Sequence, residues 1–380
     1  MAAARSWFAT VVRRCAPACF VLLSSCSDNN GITPLEPPVL VETGPPPVTL
    51  TEEEALRAAF EESVDEAIVP SVQDFAQEAT ATVVSAQDFC GQVDEAGLRE
   101  LQERWRSLFS RWYRLVPYNF GPLNDDIIFP NFTFIDSLRL RGTDYLETVR
   151  GEIARDISGD RELTEDYFAR KTFNRVGLLA LEATVFETST AEHSQAATDI
   201  LAEFDARPRK CRVLIGLARQ IEERAQTIAS GWLEEFQDTE SAYRDLFLQA
   251  ELEDGTEPIS QLLIAVQEYL DYLQARRVVT TAAPLSGIAW DAVAASMDEV
   301  ELLLRGVNSE SNSFFDAMIA SGNQNAVDAV EDSIDQIRRA IADRDPDMLE
   351  ITLGFLDGNF KREIPDSLGI ELGINFSDGD

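Results

Sequence analysis

The chain has 380 residues, with 67 acidic against 32 basic side chains and a formal charge of −35. That length permits two domains and a substantial core. A surface this acidic repels phosphate backbones and anionic headgroups, which excludes nucleic acid as a partner and electrostatic adsorption to a membrane.

Arg5, Arg13 and Arg14 precede a short apolar run, Phe20-Val21-Leu22-Leu23, then Ser24-Ser25-Cys26 and polar Ser27-Asp28-Asn29-Asn30. A basic start, a short apolar core and small residues before a cut describe a secretory signal. The core is too short for a bilayer, which takes ~20 apolar residues. Leu23-Ser24-Ser25-Cys26 resembles a bacterial lipobox, which implies a lipoprotein signal peptide over residues 1–25, cleavage before Cys26 and a lipid on its sulfur. The membrane partner is then reached through the anchor. Ser27, where inner-membrane lipoproteins usually carry Asp, points to the outer membrane of a bacterial envelope, on its periplasmic or surface side. An ordinary cleaved signal with a chance cysteine is the alternative. Residues 26–50, with Pro45-Pro46-Pro47, read as an extended tether.

The folded body begins at Thr51, an N-cap followed by Glu52-Glu53-Glu54. From there the apolar spacing is helical. Val64, Ile68, Val72, Phe75 and Ala79 mark one stripe, with Pro70 predicting a kink or break. Leu98, Leu101, Trp105, Leu108, Phe109, Trp112 and Leu115 mark the next, and both tryptophans sit on its apolar face as core residues. Residues 117–141 differ: aromatics, Gly and Pro without helical spacing predict an ordered loop, a common place for function. Further stripes follow at Val213–Trp232, Leu262–Leu273, Trp290–Leu304 and Val327–Ile341. Alternating strand patterns are absent, so the fold class is all-α. The irregular apolar C-terminus from Leu368 is expected to pack on the body.

Five cysteines are present. Cys15 and Cys19 fall in the signal and Cys26 is the lipid site. Cys90 and Cys211 remain as a disulfide pair in an oxidising compartment, or as two buried thiols. A bridge would close a loop of about 120 residues, worth ~4–5 kcal/mol in the chain-entropy account. The single histidine, His193, rules out a His-Glu-x-x-His zinc site and reads as a surface residue. Asp125-Asp126 and Asp378/Asp380 are carboxylate clusters, either solvated or holding a hard cation such as calcium. Asp254-Gly255 reads as a connector.

Several landmarks together resemble the imelysin family. They are Ile68-Val69-Pro70, then Trp105 and Trp112 ahead of Pro117-Tyr118-Asn119-Phe120-Gly121-Pro122, then Gly177-Leu178-Leu179-Ala180-Leu181-Glu182, Trp232, and the closing Leu368-Gly369 to Asp380 run. The resemblance implies two packed helical bundles, over residues 51–238 and 239–380, with a site in the cleft between them. It also implies the signature Gly-x-His-x-x-Glu, linked to metal binding and to a peptidase role. Gly177 and Glu182 match; Leu179 stands at the histidine. Leucine neither ligates a metal nor moves a proton, so the pairing of His with Glu on one helical face is broken. The ligand-binding candidates are therefore Gly177, Leu179, Glu182, Tyr118, Gly121 and Pro122, with Glu182 as the one candidate metal ligand, for iron or calcium. The expected function is a non-enzymatic envelope lipoprotein that binds a ligand or protein partner at the cleft, in the setting of iron uptake. A metallopeptidase and a purely structural surface lipoprotein are the alternatives. Glu182 itself reads either as a cleft carboxylate or as a structural one satisfied by Arg175 or a loop amide, because an unpaired buried carboxylate is costly.

Overall fold

The computed structural model describes residues 50–138, 144–252 and 255–372. The signal, Cys26 and the tether, as well as Asp254, Asp378 and Asp380, lie outside the described residues. Among the described residues every regular element is helical, and the fold is all-α. None of the described helices is long and apolar enough to cross a membrane.

The longer helices are α1 (Glu52–Ser63), α2 (Val69–Gly91), α3 (Glu95–Leu115), α4 (Leu146–Ser158), α5 (Gly177–Phe186), α6 (Ala197–Ala206), α7 (Pro208–Leu233), α8 (Pro258–Ala275), α9 (Ala289–Arg305), α10 (Gln324–Asp343) and α11 (Pro346–Lys361). Thr51 starts α1 with a capping box: its hydroxyl accepts from the Glu54 amide, and the Glu54 carboxylate accepts from the Thr51 amide. The break expected at Pro70 takes a milder form. The chain passes from α1 to α2 through a π-helical turn at Val64–Ile68, and Pro70 falls in the first turn of α2. Proline there needs no i−4 acceptor, so the helical path continues.

Packing follows the apolar stripes. Helices α2, α3 and α7 pack side by side, and α5 lies against α3, α4 and α7. Helices α8, α10 and α11 form a second group, and α9 bridges from it to α3. Helix α1 packs against the short helix Phe314–Ala320. Trp105, Trp112 and Trp232 are fully buried, as the stripes require. Cys90, near the end of α2, and Cys211, near the start of α7, meet with Cα atoms 5.7 Å apart, within disulfide reach. At the C-terminus Ile370 is buried, which matches the expected packing as far as the described residues run.

Two devices fix α5. Its first residue, Gly177, has φ +79°, and an added Cβ would sit 2.5 Å from the Ile135 carbonyl oxygen. Only glycine fits that conformation and that approach. Beyond its other end, Glu187 takes both arms of Arg150, at 2.7 and 2.6 Å. Lys210, fully buried, donates to the Glu187 carbonyl and to the Glu203 carboxylate, at 2.9 and 2.7 Å. Between these anchors every α5 residue except Leu179 is buried.

Candidate functional site

Leu179 is the exception because it faces a cavity of about 230 Å³. Trp105, Phe109, Leu178 and Leu179 form an apolar wall, and Asp136, Asp144 and Tyr145 bring polar groups from the loop before α4. Thr280 to Pro284, from the segment between α8 and α9, close the other side. Glu182 lines the same cavity, one turn along from Leu179, with no solvent-accessible surface of its own.

The Glu182 carboxylate is held asymmetrically. Its Oε1 accepts from the backbone amides of Ser286, at 2.8 Å, and Leu285, at 3.2 Å. Its Oε2 has no hydrogen-bond partner of good geometry, and the Ser286 hydroxyl stands close enough to the carboxylate to favour its charged form. Burial pushes the Glu182 pKa up to about 7, against the Ser286 and Leu285 groups that favour the charged form. The loop presenting those amides carries Ala283 at φ +49°. A non-glycine residue in the left-handed region is strained, which is commoner at functional sites than elsewhere.

Of the two sequence readings of Glu182, the loop amides are found and Arg175 is not: its guanidinium turns to Glu152, at 3.5 Å. The other candidates separate. Gly177 sets the backbone of α5 without lining the cavity. Tyr118 is fully buried and donates to Glu299 Oε1 at 3.1 Å. Gly121, at φ +53°, lies under the Tyr243 ring, and Pro122 packs on Gly231 of α7. These three serve packing, and none of them lines the cavity with Leu179 and Glu182. Trp105 belongs to the wall as well as the core, and its Nε1 donates to the Leu178 carbonyl at 3.1 Å. Asp136 accepts from Trp112 Nε1 at 3.2 Å. Sequence reasoning missed Asp136 and the Leu285-Ser286 amides. The backbone amides leave no side-chain signature.

The metal expectations fit these residues poorly. No group of three or more His, Cys, Asp or Glu side chains among the described residues is arranged to hold an ion. The cavity lining has three carboxylates, Glu182, Asp136 and Asp144, but they are not grouped to hold an ion. Asp136 and Asp144 already accept from the Leu138 and Leu146 amides, which leaves the set short of the four ligands of zinc or the six oxygens of calcium. Asp125 and Asp126 are engaged in their own loop. Asp125 accepts from the Asn131 amide and side chain, at 3.0 and 2.9 Å, and Asp126 from the Ile128 and Phe129 amides, at 2.7 and 2.9 Å. His193 lies in a turn at φ +46°, partly buried, with Nδ1 3.4 Å from the Thr188 carbonyl.

A helical body with a cavity between α3, α5 and the α8–α9 connection defines an all-α protein with a small polar-apolar site. The Imelysin family profile, a peptidase M75 family, matches residues 68–364, and the chain belongs to that family. The solved structures similar to it include an imelysin-like protein from Psychrobacter arcticum 273-4, 16% identical with a TM-score of 0.59, covering 86% of this chain and 99% of that one. Another is a candidate iron-regulated protein A precursor from Parabacteroides distasonis ATCC 8503, 15% identical with a TM-score of 0.53, covering 84% of this chain and all of that one. At such identities the likeness concerns the fold. No curated protein matches the chain.

Proposed function

We propose that this imelysin-family chain is a non-enzymatic binding protein of the bacterial envelope, tethered to the outer membrane through a lipid on Cys26 and taking a small ligand in the Glu182 cavity. One observation carries the reading: a fully buried carboxylate with an oxygen lacking a partner of good geometry lines a cavity that Leu179 also lines. A buried polar atom without a partner costs roughly 1–3 kcal/mol, which a bound ligand recovers. The leader pattern around Cys26 supports the anchor. The name of the Parabacteroides relative supports a role under iron limitation, without direct iron ligation by these residues.

Hydrolysis of a peptide bond needs an activated water; among the described residues no metal-holding group is found and no histidine lines the cavity, which leaves the Glu182 carboxylate as the one candidate base for the peptidase alternative. The test is a peptide library incubated with the full chain, with and without chelator. No cleavage is expected. Chelator-sensitive cleavage lost in Glu182→Ala would reverse the reading in favour of a peptidase. Calorimetry with Fe²⁺, Zn²⁺ and Ca²⁺ is expected to show no heat that Glu182→Ala removes. Metabolic labelling with palmitate, abolished by Cys26→Ala, tests the anchor.

A further inference from the structure

The cavity has a composition that the ligand reading alone does not use. Its described lining includes three carboxylates, Glu182, Asp136 and Asp144, and no Lys, Arg or His. Two of them have local partners: Asp136 accepts from Trp112 and from the Leu138 amide at 3.2 Å, and Asp144 caps the Leu146 amide at 2.8 Å. Of the three, Glu182 is the one with a buried oxygen lacking a partner of good geometry, and the Ser286 hydroxyl of the loop that holds it stands beside the carboxylate. A buried anion with a spare acceptor, beside a hydroxyl that accepts as well as donates, suits a group with several N–H donors and a positive charge. Part of the lining is apolar and aromatic. Trp105 stacks on Phe109 with ring centroids 5.0 Å apart, a surface that takes a hydrocarbon body and also favours cations.

Resting on the reading of this cavity as the ligand site, we propose that its ligand is a small organic cation, an ammonium or guanidinium group on an apolar body. The charged head meets Glu182 Oε2 and the Ser286 hydroxyl. The body lies against Trp105, Phe109 and Leu179. At native packing density the volume holds roughly ten non-hydrogen atoms, the size of an arylalkyl amine. Leu179 then has a positive role. An imidazole at that place would put a second polar group where the hydrocarbon lies, and an aliphatic side chain supplies the apolar surface.

The probe is 2-phenylethylammonium, compared by calorimetry with 2-phenylethanol and 3-phenylpropionate on the full chain. The cation is expected to bind at least tenfold tighter than the alcohol, with no detectable binding of the anion. Glu182→Gln keeps the shape and the amide contacts, and should lose at least tenfold for the cation but little for the alcohol. Because the Glu182 carboxyl is held near 7, affinity for the cation should rise about tenfold between pH 6 and pH 8. The other titratable groups facing it or the cavity are Glu187, Asp136, Asp144 and Tyr145.

Equal affinity for cation and alcohol, unaffected by Glu182→Gln, overturns the cation proposal and leaves the cavity a ligand site. No binding of any probe, with no effect of filling the cavity by Leu179→Trp, removes both. Binding of Ca²⁺ or Fe²⁺ in place of the amine overturns the proposal in favour of a metal. Arg139 and Arg141 stand between Asp136 and Asp144 in the sequence, outside the described residues. If Arg139→Ala with Arg141→Ala raises affinity tenfold or more, the chain's own guanidinium competes for the site and an external cation is not its purpose. Unchanged affinity supports the proposal.

Discussion

Glu182 and Glu299 are two buried glutamates whose pKa values are both pushed up to about 7 by desolvation, yet their surroundings differ in kind. Glu299, on α9, takes the hydroxyls of Ser71 and Tyr118 on Oε1, at 2.8 and 3.1 Å, and Arg114 on Oε2 at 3.4 Å. Its donors come from α2, α3 and the turn after α3, so it ties α9 to that group of helices. Glu182 has two backbone amides, no cation and an unused oxygen. Equal burial thus describes a finished structural network in one place and an open valence in the other. A shifted carboxyl marks a binding site only when its hydrogen bonding is incomplete and a cavity adjoins it.

The Glu182 side of the molecule adds one constraint that the Glu299 network does not have, the Cys90–Cys211 pair between α2 and α7. A bond there makes the largest effect: its reduction should lower stability by up to ~4–5 kcal/mol, with hydrogen exchange rising in α2 and α7 first. Mass analysis with and without reductant checks the bond itself. Two free thiols in the unreduced chain would remove this asymmetry.

Truncating each glutamate sharpens the comparison next. Glu299→Ala leaves the Ser71 and Tyr118 hydroxyls without their acceptor, while Arg114 keeps Asp298 at 3.3 Å, and should cost ~2–4 kcal/mol in urea unfolding at pH 7. Glu182→Ala strands two amides but also removes a poorly solvated charge, and should cost less than half as much. Equal losses would show that the Glu182 contacts are as complete as those of Glu299.

The pH response separates them further. A carboxyl with a folded pKa above its unfolded value binds more protons in the folded state. Stability is then full below about pH 4.5 and falls as pH rises to about 7, by on the order of 3 kcal/mol per group. Glu182→Gln should flatten its share of that decline and raise the melting temperature at pH 8. Glu299→Gln should gain little, because its new amide nitrogen faces Arg114. A stability curve flat from pH 5 to pH 8 in the native chain would contradict both shifts. The smallest effect is expected at the strained wall: Ala283→Gly relieves the left-handed backbone and should add ~0.5–1 kcal/mol while weakening ligand binding, because the loop then holds its amides less firmly.

Much of this was legible in the sequence. The spacing of Leu98, Leu101, Trp105 and Trp112 predicts a buried helical face, and the folded chain buries it. The run Gly177 to Glu182 is singled out in the sequence by its resemblance to the family signature, and the folded chain places Leu179 and Glu182 of that run on one cavity. Glu299 falls on the buried stripe with Ser296 and Leu303, where the apolar Trp290–Leu304 pattern gives no sign of a buried acid. Tyr118, Gly121 and Pro122 lie away from the Leu179 and Glu182 cavity. An aromatic, a glycine and a proline in one loop look functional, but here they solve packing against Glu299, Tyr243 and Gly231. The Leu285-Ser286 amides stayed hidden because main-chain donors are supplied by any residue type.

The helical path from Glu52 to Gly91, with its π-helical turn at Val64–Ile68, has a dynamic consequence. Its first part packs on Phe314–Ala320 and its last part on α3 and α7, so a single shaft spans helices from both ends of the sequence. Wide hinge opening would require bending that shaft. If the proposed ligand enters this cavity, the stretch around Ala283 is one described segment whose parting would admit it, a shift that is local and fast on the scale of whole-body rearrangements. Such a gate gives guests access by breathing, so association should be governed by how often the loop parts and dissociation by how well the guest fits behind it.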